Sequence, residues 1–576
     1  MLIKIAKEKN HLEVADTRFF GEIFQKLICI PDRKRFTDNR FIFFNCNSNI
    51  EHIIENFPDV NWSDEAYALK QNFLAFKEAE KEQLKNKDKE VTLKDYPEIF
   101  KTKPFDHQLK AFEISKDLEF YGLFFEQGCG KTKVIIDNAS YLFKEGKIET
   151  LVIIAPNGVH KNWITDELPV HCKVDYDAFC WNGKINKLAN LRLEELRISD
   201  KLKIYSFNVE CFVSKKQQEM LLSLLKNNNC LLTIDESQSI KTPSAKRTKF
   251  LVDKASPLAT YKRIMSGTPI TKGVQDIFTQ FKFLSPSIIG LTSFFAFKNK
   301  YCRMGGFQMK QIIGYQGVEE LQAKIQTHSM RVLKKDCLDL PEKLYQRAPL
   351  DITENQRKVY DEIKNEGITF LQNAKNKGEP VTFDNVLSRL IKMQQVTCGY
   401  LLNVEEQGFV ELVSPDKNPR LNKLRDLLEK IDGKVIIWAR FTKDIDYIMK
   451  ILGKEAVRYD GQVSNEDRDL NKTAFKDDDQ VRYFVAKPLK GLTLTSATTA
   501  IYYSNDFDLE KRLQSEDRNH RFGTKEVVEK AGKSNVLYID LEATRTLDKK
   551  IITALRNKKK LADMVLQDPE SLFIEN

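Results

Sequence analysis

The stretch YGLFFEQGCGKTKVIIDNASYLF, residues 121–143, decides the fold class of this chain. It opens with a short apolar run, passes through the turn Gly128-Cys129-Gly130, and continues into a segment that suits a helix. A buried strand that leads through glycines into a helix is typical of α/β proteins that bind phosphate with backbone N–H groups and the helix N-terminus. In such a turn Lys131 would reach the β- and γ-phosphates of a nucleotide, and the Thr132 hydroxyl would hold Mg²⁺.

The strict pattern GxxxxGK[ST] fails because Phe125 stands where its first glycine belongs, so a glycine-rich turn with a chance lysine is the alternative. A second element favours phosphate binding. The apolar run at residues 230–234 ends in Asp235-Glu236, which suits a metal-binding carboxylate beside one that polarises attacking water. The alternative there is ordinary surface charge. A third element, Ser266-Gly267-Thr268-Pro269, follows the next apolar run, where small hydroxyl residues can sense a γ-phosphate.

Similar short apolar runs recur along the chain, separated by stretches of helical length, and this pattern predicts buried parallel strands of doubly wound α/β sheets. In the first half the runs are YGLFF, TLVIIAP, LKIYSF, CLLTIDE and YKRIM. In the second half they are GKVIIWARF, YFVAKP, TAIYYSNDF and SNVLYIDLE. The sequence therefore predicts two α/β lobes.

The remaining segments complete the predicted organisation. Residues 1–100 mix short apolar runs with turn signals and end in a Lys- and Glu-rich stretch at 63–90, which predicts a small α+β module with a solvated helix or tether. We expect lobe 1 at 101–285, a mainly helical connector at 286–430, lobe 2 at 431–545 and a C-terminal helix at 546–576.

Composition excludes several classes of protein. The chain has 576 residues, of which 41% are hydrophobic and 30% charged, so neither one small binding module nor wholesale disorder is expected. A formal net charge of +10 mildly favours polyanionic partners. The 10 cysteines are scattered singly, which indicates a reducing compartment, and Cys172 and Cys180 lack a second ligand pair for zinc. Without a signal peptide or an apolar span, we expect an intracellular protein.

Taken in order, these segments resemble the motifs of the Swi/Snf family of superfamily-two helicase-like ATPases, from about residue 103 to 566. FDHQLKAFEIS is similar to the adenine-reading segment, EQGCGKTK to motif I, IIAPNGVHKNWITDE to motif Ia, DESQSIK to motif II and MSGTPITKGVQDIF to motif III. MRVLKKDCLDLPEK resembles the linker between lobes, GKVIIWARF motif IV, KGLTLTSATTAIYYSNDFD motif V and QSEDRNHRFGT motif VI. Gln238 replaces the usual His of motif II, and residues 487–490 and 507–509 also depart from the family pattern.

The resemblance implies two RecA-like lobes and roles for individual residues. It implies catalytic roles for Lys131, Asp235, Glu236, Arg518 and Arg521, the last two as arginine fingers that we expect one helical turn apart. It implies metal contacts from Thr132 and Asp235. It implies ATP contacts from Gln108, Gly128, Gly130, Lys131, Thr132, Lys133, Gly267, Thr268 and Gln514. It implies DNA contacts from Asn157, Lys161, Thr271, Lys272 and Thr495.

The function that follows is an Mg²⁺- and ATP-dependent translocase on double-stranded DNA. With its small N-terminal module, the chain resembles members that remodel forks or Holliday junctions more than nucleosome remodellers. Basic and aromatic residues alternate in that module at 33–36 and 40–41, which suits a DNA junction or single strand, although a structural cap is equally compatible. The alternatives are a strand-separating DNA or RNA helicase, or an ATP-switched factor that binds DNA or displaces proteins. We expect the cytoplasm of a bacterium or phage-infected cell, or the nucleus if the source is eukaryotic.

Overall fold

The computed structural model describes residues 2–6, 11–15, 22–37, 40–86, 96–181, 183, 187–271, 273–305, 311–377, 383–403, 408–488 and 492–557. The chain divides into two compact units, Met1–Cys337 and Leu338–Asn576. Across the described ranges, no helix is both long and apolar enough to cross a membrane.

The N-terminal module is a mixed sheet covered by helices. Its elements are β1 (Leu2–Ile5), β2 (His11–Ala15), α1 (Glu22–Ile28), β3 (Arg33–Thr37), β4 (Arg40–Phe44), α2 (Asn47–Asn56), β5 (Asn61–Trp62) and α3 (Asp64–Asn86). The strand order is β3-β4-β2-β1-β5, with only β1 and β5 parallel. Helix α3 covers most of the stretch predicted as a solvated helix or tether, and it buries Ala66 and Phe73 in the core of the module.

The module is fixed to the rest of the first unit by polar contacts around Asp32. The Asp32 carboxylate accepts hydrogen bonds from the Thr292 N–H (2.7 Å) and hydroxyl (2.8 Å) and from the Ser293 N–H (3.2 Å). Beside it the Ser48 N–H donates to the Gly290 carbonyl at 3.1 Å. Gly290 has φ 75°, and a Cβ there would lie 2.5 Å from Ser48 Oγ, so both conformation and space require glycine.

The first α/β lobe follows the module within the same unit. Its helices are α4 (Asp106–Ser115), α5 (Lys131–Lys144), α6 (Val159–Asn162), α7 (Leu168–His171), α8 (Lys187–Ile198), α9 (Lys215–Asn227), α10 (Lys246–Phe250), α11 (Ile277–Leu284), α12 (Pro286–Ile289), α13 (Phe294–Tyr301), α14 (Val318–Thr327) and α15 (Lys334–Cys337). Its strands are β6 (Phe120–Phe125), β7 (Thr150–Ala155), β8 (Tyr176–Cys180), β9 (Leu202–Asn208), β10 (Cys230–Asp235), β11 (Tyr261–Met265), β12 (Cys302–Gly305), β13 (Gln311–Tyr315) and β14 (Ser329–Val332).

Seven of these strands form one parallel sheet in the order β14-β6-β11-β10-β7-β9-β8. The five strands predicted in the first half of the sequence are confirmed as β6, β7, β9, β10 and β11. Sequence reasoning missed β8 and β14, the two edge strands. An edge strand is only partly covered, so it lacks the continuous apolar run that marks a central one.

The second unit contains the other α/β lobe. Its strands are β15 (Glu342–Leu350), β16 (Tyr400–Asn403), β17 (Gly408–Glu411), β18 (Val435–Trp438), β19 (Ala456–Tyr459), β20 (Tyr483–Ala486), β21 (Thr499–Tyr502) and β22 (Asn535–Ala543). Its helices are α16 (Glu354–Lys377), α17 (Phe383–Cys398), α18 (Pro419–Leu428), α19 (Thr442–Leu452), α20 (Asn465–Asp477), α21 (Leu509–Glu516), α22 (Thr524–Lys530) and α23 (Leu547–Arg556).

The second parallel sheet has the order β15-β22-β21-β18-β20-β19. The four strands predicted in the second half are confirmed as β18, β20, β21 and β22, and the mixed α/β class with two RecA-like lobes is confirmed. Here too the missed strands, β15 and β19, are the edges. Helix α23 lies within the predicted C-terminal helix, of which residues 558–576 lie outside the described part.

The predicted helical connector, residues 286–430, does not form a separate body. Its helices are present, but β14 joins the first sheet and β15 joins the second, and the division between the units falls after Cys337. The segment also contains two antiparallel hairpins, β12–β13 and β16–β17. Helical periodicity hid these strands because they are short or half exposed.

We predict that Asp32→Ala loosens the N-terminal module by about 3 kcal/mol, because it leaves the donors on Thr292 and Ser293 without their charged acceptor. Faster hydrogen exchange in α2 and β4, with little change in the second unit, would show this. The exposed residue Asp59 supplies the control, since Asp59→Ala removes the same charge without a buried contact. Equal exchange in both variants would contradict the prediction.

Candidate nucleotide and metal site

Three loops carry the predicted chemistry, and the order of the sheet brings them together. Strands β6, β11 and β10 are neighbours and parallel. The glycine-rich turn follows β6, Ser266-Gly267-Thr268 follows β11, and Glu236 follows β10. Carboxyl ends of parallel strands share one edge of a sheet, and ligands of doubly wound folds bind at that edge.

The glycine-rich turn adopts a conformation that only glycine tolerates without strain at two positions. Gly128 has φ 88° and Gly130 has φ 75°. The turn packs on Gln108, whose Nε2 donates to the Cys129 carbonyl at 3.2 Å and whose Oε1 accepts from the Phe105 N–H at 3.0 Å. A Cβ at Gly130 would lie 2.0 Å from Gln108 Nε2. Gln108, predicted to contact adenine, thus also holds the glycine-rich turn through its hydrogen bond to Cys129.

Lys131 is the first residue of α5, directly after the turn, and Thr132 follows it in the first turn of that helix. The Lys131 ammonium donates to the Phe125 carbonyl at 2.9 Å. Its positive charge also acts on Asp235, where it opposes a rise in pKa. The structure therefore places the predicted phosphate-binding lysine and the predicted metal-binding carboxylate in one electrostatic environment.

Asp235 ends β10 and is buried. Its Oδ2 accepts a hydrogen bond from the indole Nε1 of Trp163 at 3.1 Å, and its Oδ1 accepts one from the N–H of Glu236 at 2.9 Å. Burial and the charge of Glu236 raise the pKa of Asp235 to about 6, while Lys131 and the Trp163 hydrogen bond lower it. Trp163 lies in the segment that resembles motif Ia, and its contact with Asp235 depends on the fold.

Glu236 has an unusual backbone conformation, and two amides bond its carboxylate. Its φ is 52°, a value that residues other than glycine rarely adopt. Gln127 Nε2 donates to Oε1 at 3.3 Å, and Gln238 Nε2 donates to Oε2 at 2.7 Å. Backbone strain at a carboxylate with two donors is typical of functional positions.

Gln238 connects Glu236 to the loop after β11. Its Oε1 accepts a hydrogen bond from the Ser266 hydroxyl at 2.7 Å. The Ser266 Oγ in turn accepts one from the Thr268 N–H at 2.9 Å. Gly267 lies against the glycine-rich turn, since a Cβ there would be 3.4 Å from the backbone nitrogen of Gln127. Gln238, where the resemblance expects His, therefore joins the motif II and motif III segments through a side chain that does not titrate.

The donor set fits Mg²⁺ held together with a nucleotide. Among the described residues there is no cluster of three or more His, Cys, Asp or Glu that would bind a metal by itself. Mg²⁺ usually takes one or two carboxylates and completes its shell with substrate phosphates and water. Asp235 and the Thr132 hydroxyl provide the protein part of such a set.

In the second unit, Arg518 and Arg521 lie side by side. Both donate through Nη1 to the Leu492 carbonyl, at 3.1 Å and 3.3 Å. The prediction that they share a helical turn is wrong, because α21 ends at Glu516 and both follow it in irregular backbone. Gln514 lies inside α21, with its Nε2 donating to Glu510 Oε1 at 2.9 Å.

Comparison with known proteins identifies the family of this chain. The SNF2-related domain matches residues 119–400, and the helicase conserved C-terminal domain matches residues 419–523. The chain belongs to the Swi/Snf family of helicase-like ATPases.

Similar Swi/Snf proteins are much longer than the part they share with this chain. The TATA-binding protein-associated factor mot1 of Aspergillus fumigatus is 26% identical over 396 residues, 60% of this chain and 20% of that protein. A human SWI/SNF-related regulator of chromatin, subfamily A member 1, is 26% identical over 353 residues, 58% of this chain and 32% of that protein. Among solved structures, the Sulfolobus solfataricus SWI2/SNF2 ATPase core in complex with dsDNA is 23% identical, with 82% of this chain and 95% of that chain covered and a TM-score of 0.36.

Lys133, a predicted ATP contact of this Swi/Snf chain, has a buried partner within the protein. Its ammonium forms an ion pair with Asp137 at 2.7 Å, and both side chains are buried. Burial raises the pKa of Asp137 to about 7, although the charge of Lys133 opposes the rise. The geometry gives Lys133 a structural partner one turn along α5.

The residues predicted to contact DNA occupy different settings. Asn157 is exposed in the turn after β7, and Lys161 is half-buried in α6. The Thr271 N–H and hydroxyl both donate to Asp276 Oδ2 at 2.8 Å, and the Lys241 ammonium donates to the same hydroxyl. Thr495 lies half-buried in a turn of the second unit, whereas Lys272 lies outside the described residues.

We predict that Lys131→Ala reduces ATP turnover to background, because the charge that binds the β- and γ-phosphates is lost. Phosphate release at saturating ATP and Mg²⁺ measures this. The far-ultraviolet circular dichroism and melting temperature should match those of the unaltered chain. Retained turnover would contradict the assignment of the glycine-rich turn.

We predict the opposite pattern for Lys133→Met. This change leaves the Asp137 carboxylate buried without its partner, which costs about 3–5 kcal/mol of stability, and it leaves nucleotide affinity unchanged. Thermal melting and titration with a fluorescent ATP analogue well below the melting temperature separate the two effects. The double variant K133M/D137L should recover stability. Weaker nucleotide binding at an unchanged melting temperature would instead show that Lys133 contacts ATP.

Proposed function

We propose that this chain is an ATP-driven translocase on double-stranded DNA that remodels branched DNA. The observation that carries the proposal is the edge formed by β6, β11 and β10, where Lys131 acts electrostatically on Asp235 and two amides hold Glu236. A cation for phosphate, a carboxylate for metal and a second carboxylate for water are the parts that ATP hydrolysis requires.

The proposal gives each side chain one task. The backbone of Gly128 and Gly130 and the ammonium of Lys131 bind phosphate, and Glu236 orients the attacking water through an oxygen lone pair. Mg²⁺, when bound through Thr132 and Asp235, neutralises charge on the phosphates. The other proposed nucleotide contacts are Gln108, Gly267, Thr268 and Gln514. Arg518 and Arg521 stabilise the charge that develops on the γ-phosphate.

DNA as the activating partner is supported by the family and by charge. Relatives carry names such as ISWI chromatin-remodeling complex ATPase CHR17 of Arabidopsis thaliana, and this chain has a formal net charge of +10. Contacts to the phosphate backbone need no sequence readout, which suits movement along a duplex. Asn157, Lys161, Thr271, Lys272 and Thr495 are the proposed contacts.

The preference for branched DNA is supported by the N-terminal module. The bonds of Asp32 to Thr292 and Ser293, and of Ser48 to Gly290, fix this module to the first lobe. The module therefore moves with the lobe as one body and can present a second DNA-binding surface in a constant orientation. Such a surface suits a fork or four-way junction, and hence DNA repair or recombination.

We predict that linear duplex DNA stimulates ATP hydrolysis and that forked or four-way-junction DNA stimulates it further. The measurement is steady-state phosphate release with no nucleic acid, single-stranded DNA, linear duplex, fork, junction and RNA at one fixed salt concentration. K131A gives the background rate. Stimulation by RNA in place of duplex DNA would indicate an RNA helicase. ATP binding without turnover would indicate an ATP-switched factor.

A further inference from the structure

Trp163 is a buried residue whose only polar atom is used at the candidate metal site. Its side chain is 1% exposed, and its indole Nε1 donates to Asp235 Oδ2 at 3.1 Å. Tryptophan has one donor and no acceptor, so this bond fixes which atom of the carboxylate faces the ring. Since the Glu236 N–H holds Oδ1, the two bonds together set the orientation of the Asp235 side chain.

The backbone around Trp163 connects that carboxylate to the proposed DNA contacts. Trp163 begins a π-helical turn, Trp163–Glu167, directly after α6, and Asn157 and Lys161 lie within six residues of it. A π-helical turn is uncommon and occurs frequently at functional sites.

The segment from Asn157 to Trp163 is anchored to the lobe by His160. The buried His160 ring bonds the Trp181 carbonyl at 2.8 Å, and the Ser206 hydroxyl donates to the His160 carbonyl at 2.7 Å. Asn157, at one end of this short anchored segment, is therefore exposed to solvent, and Trp163, at the other end, bonds Asp235.

We propose that Trp163 is a positioning residue that orients Asp235. When DNA binds the Asn157–Lys161 segment, Trp163 transmits the resulting restraint to the Asp235 carboxylate. The second half of this inference rests on the proposed function, whereas the first half requires only the bond between Trp163 and Asp235. A duplex that binds Asn157 and Lys161 restrains the segment, and the restraint reaches Asp235 through one side chain. DNA then stimulates hydrolysis by favouring one orientation of the metal-binding group.

Packing alone would make a different demand on this position. A phenylalanine ring fills most of the space of an indole but has no N–H. If Trp163 served only to fill space, its replacement by Phe would have no more effect than the same replacement at another buried tryptophan. Trp438 of β18 provides the matched comparison. It is 0% exposed, and its Nε1 has no hydrogen-bond partner within the part of the chain that the structure describes.

The first experiment compares Trp163→Phe with Trp438→Phe in the full chain. For W163F we expect the Mg²⁺ concentration for half-maximal binding of a fluorescent ADP analogue to rise about tenfold, the size of one hydrogen bond to a charged group. We also expect duplex DNA to stimulate turnover about tenfold less, while the affinity for DNA by fluorescence anisotropy stays unchanged. W438F should match the unaltered chain in all three measurements. Unaltered Mg²⁺ dependence in W163F would overturn the proposal.

A second measurement does not depend on how well W163F folds. The chain has four tryptophans, so 5-fluorotryptophan labelling gives four ¹⁹F resonances, and W62F, W181F and W438F assign that of Trp163 by elimination. We expect this resonance to shift on addition of Mg²⁺–ADP and again on addition of duplex DNA.

The two arms separate the inference from the proposed function. A resonance that stays still with Mg²⁺–ADP overturns the role of Trp163 at Asp235. A resonance that responds to Mg²⁺–ADP but stays still while anisotropy shows bound duplex overturns the coupling. If anisotropy shows no DNA binding at all, the proposed function fails, and the Mg²⁺–ADP response alone decides whether Trp163 positions Asp235.

Discussion

Two adjacent carboxylates, Asp235 and Glu236, must remain at a buried sheet edge, and much of the first unit serves that requirement. Burial and the charge of Glu236 disfavour the charged form of Asp235, whose pKa is raised. Hydrogen-bond donors and one cation offset this cost. Trp163 donates to Asp235, Gln127 and Gln238 donate to Glu236, and Lys131 supplies positive charge. These groups come from separate segments of the chain, so the complete lobe must fold before the site exists.

The second unit also contains a buried charge, the guanidinium of Arg420. Arg420 is 1% exposed, donates to the carbonyls of Thr397 and Tyr503, and pairs with Asp548. A buried guanidinium is tolerated because its donors are occupied and its charge is paired. The contacts join α17, the end of β21 and α23 around α18.

The central strands and the phosphate-binding turn could be predicted because their physical requirements are local. A strand covered on both faces needs a continuous apolar run, and a turn with positive φ needs glycine, as at Gly128 and Gly130. The edge strands β8, β14, β15 and β19 carry no such requirement, and the helical periodicity of residues 286–430 concealed β14 and β15. The motif I resemblance implies an ATP contact for Lys133 as for Lys131, but residues two apart on a helix face different directions, and Lys133 forms an ion pair with Asp137.

The sequence by itself determined the parallel α/β class, the order of the chemical groups along the chain and the family to which the chain belongs. Each of these depends on residue type at short spacing. Only the tertiary structure decided which residues hold the carboxylates, since Trp163 lies 72 positions from Asp235 and Gln127 lies 109 positions from Glu236. It also decided that Asp32 fixes the N-terminal module to the first lobe, across 260 positions between Asp32 and Thr292. Hydrogen bonds over such separations depend on sheet order and helix packing, which no local pattern of residues encodes.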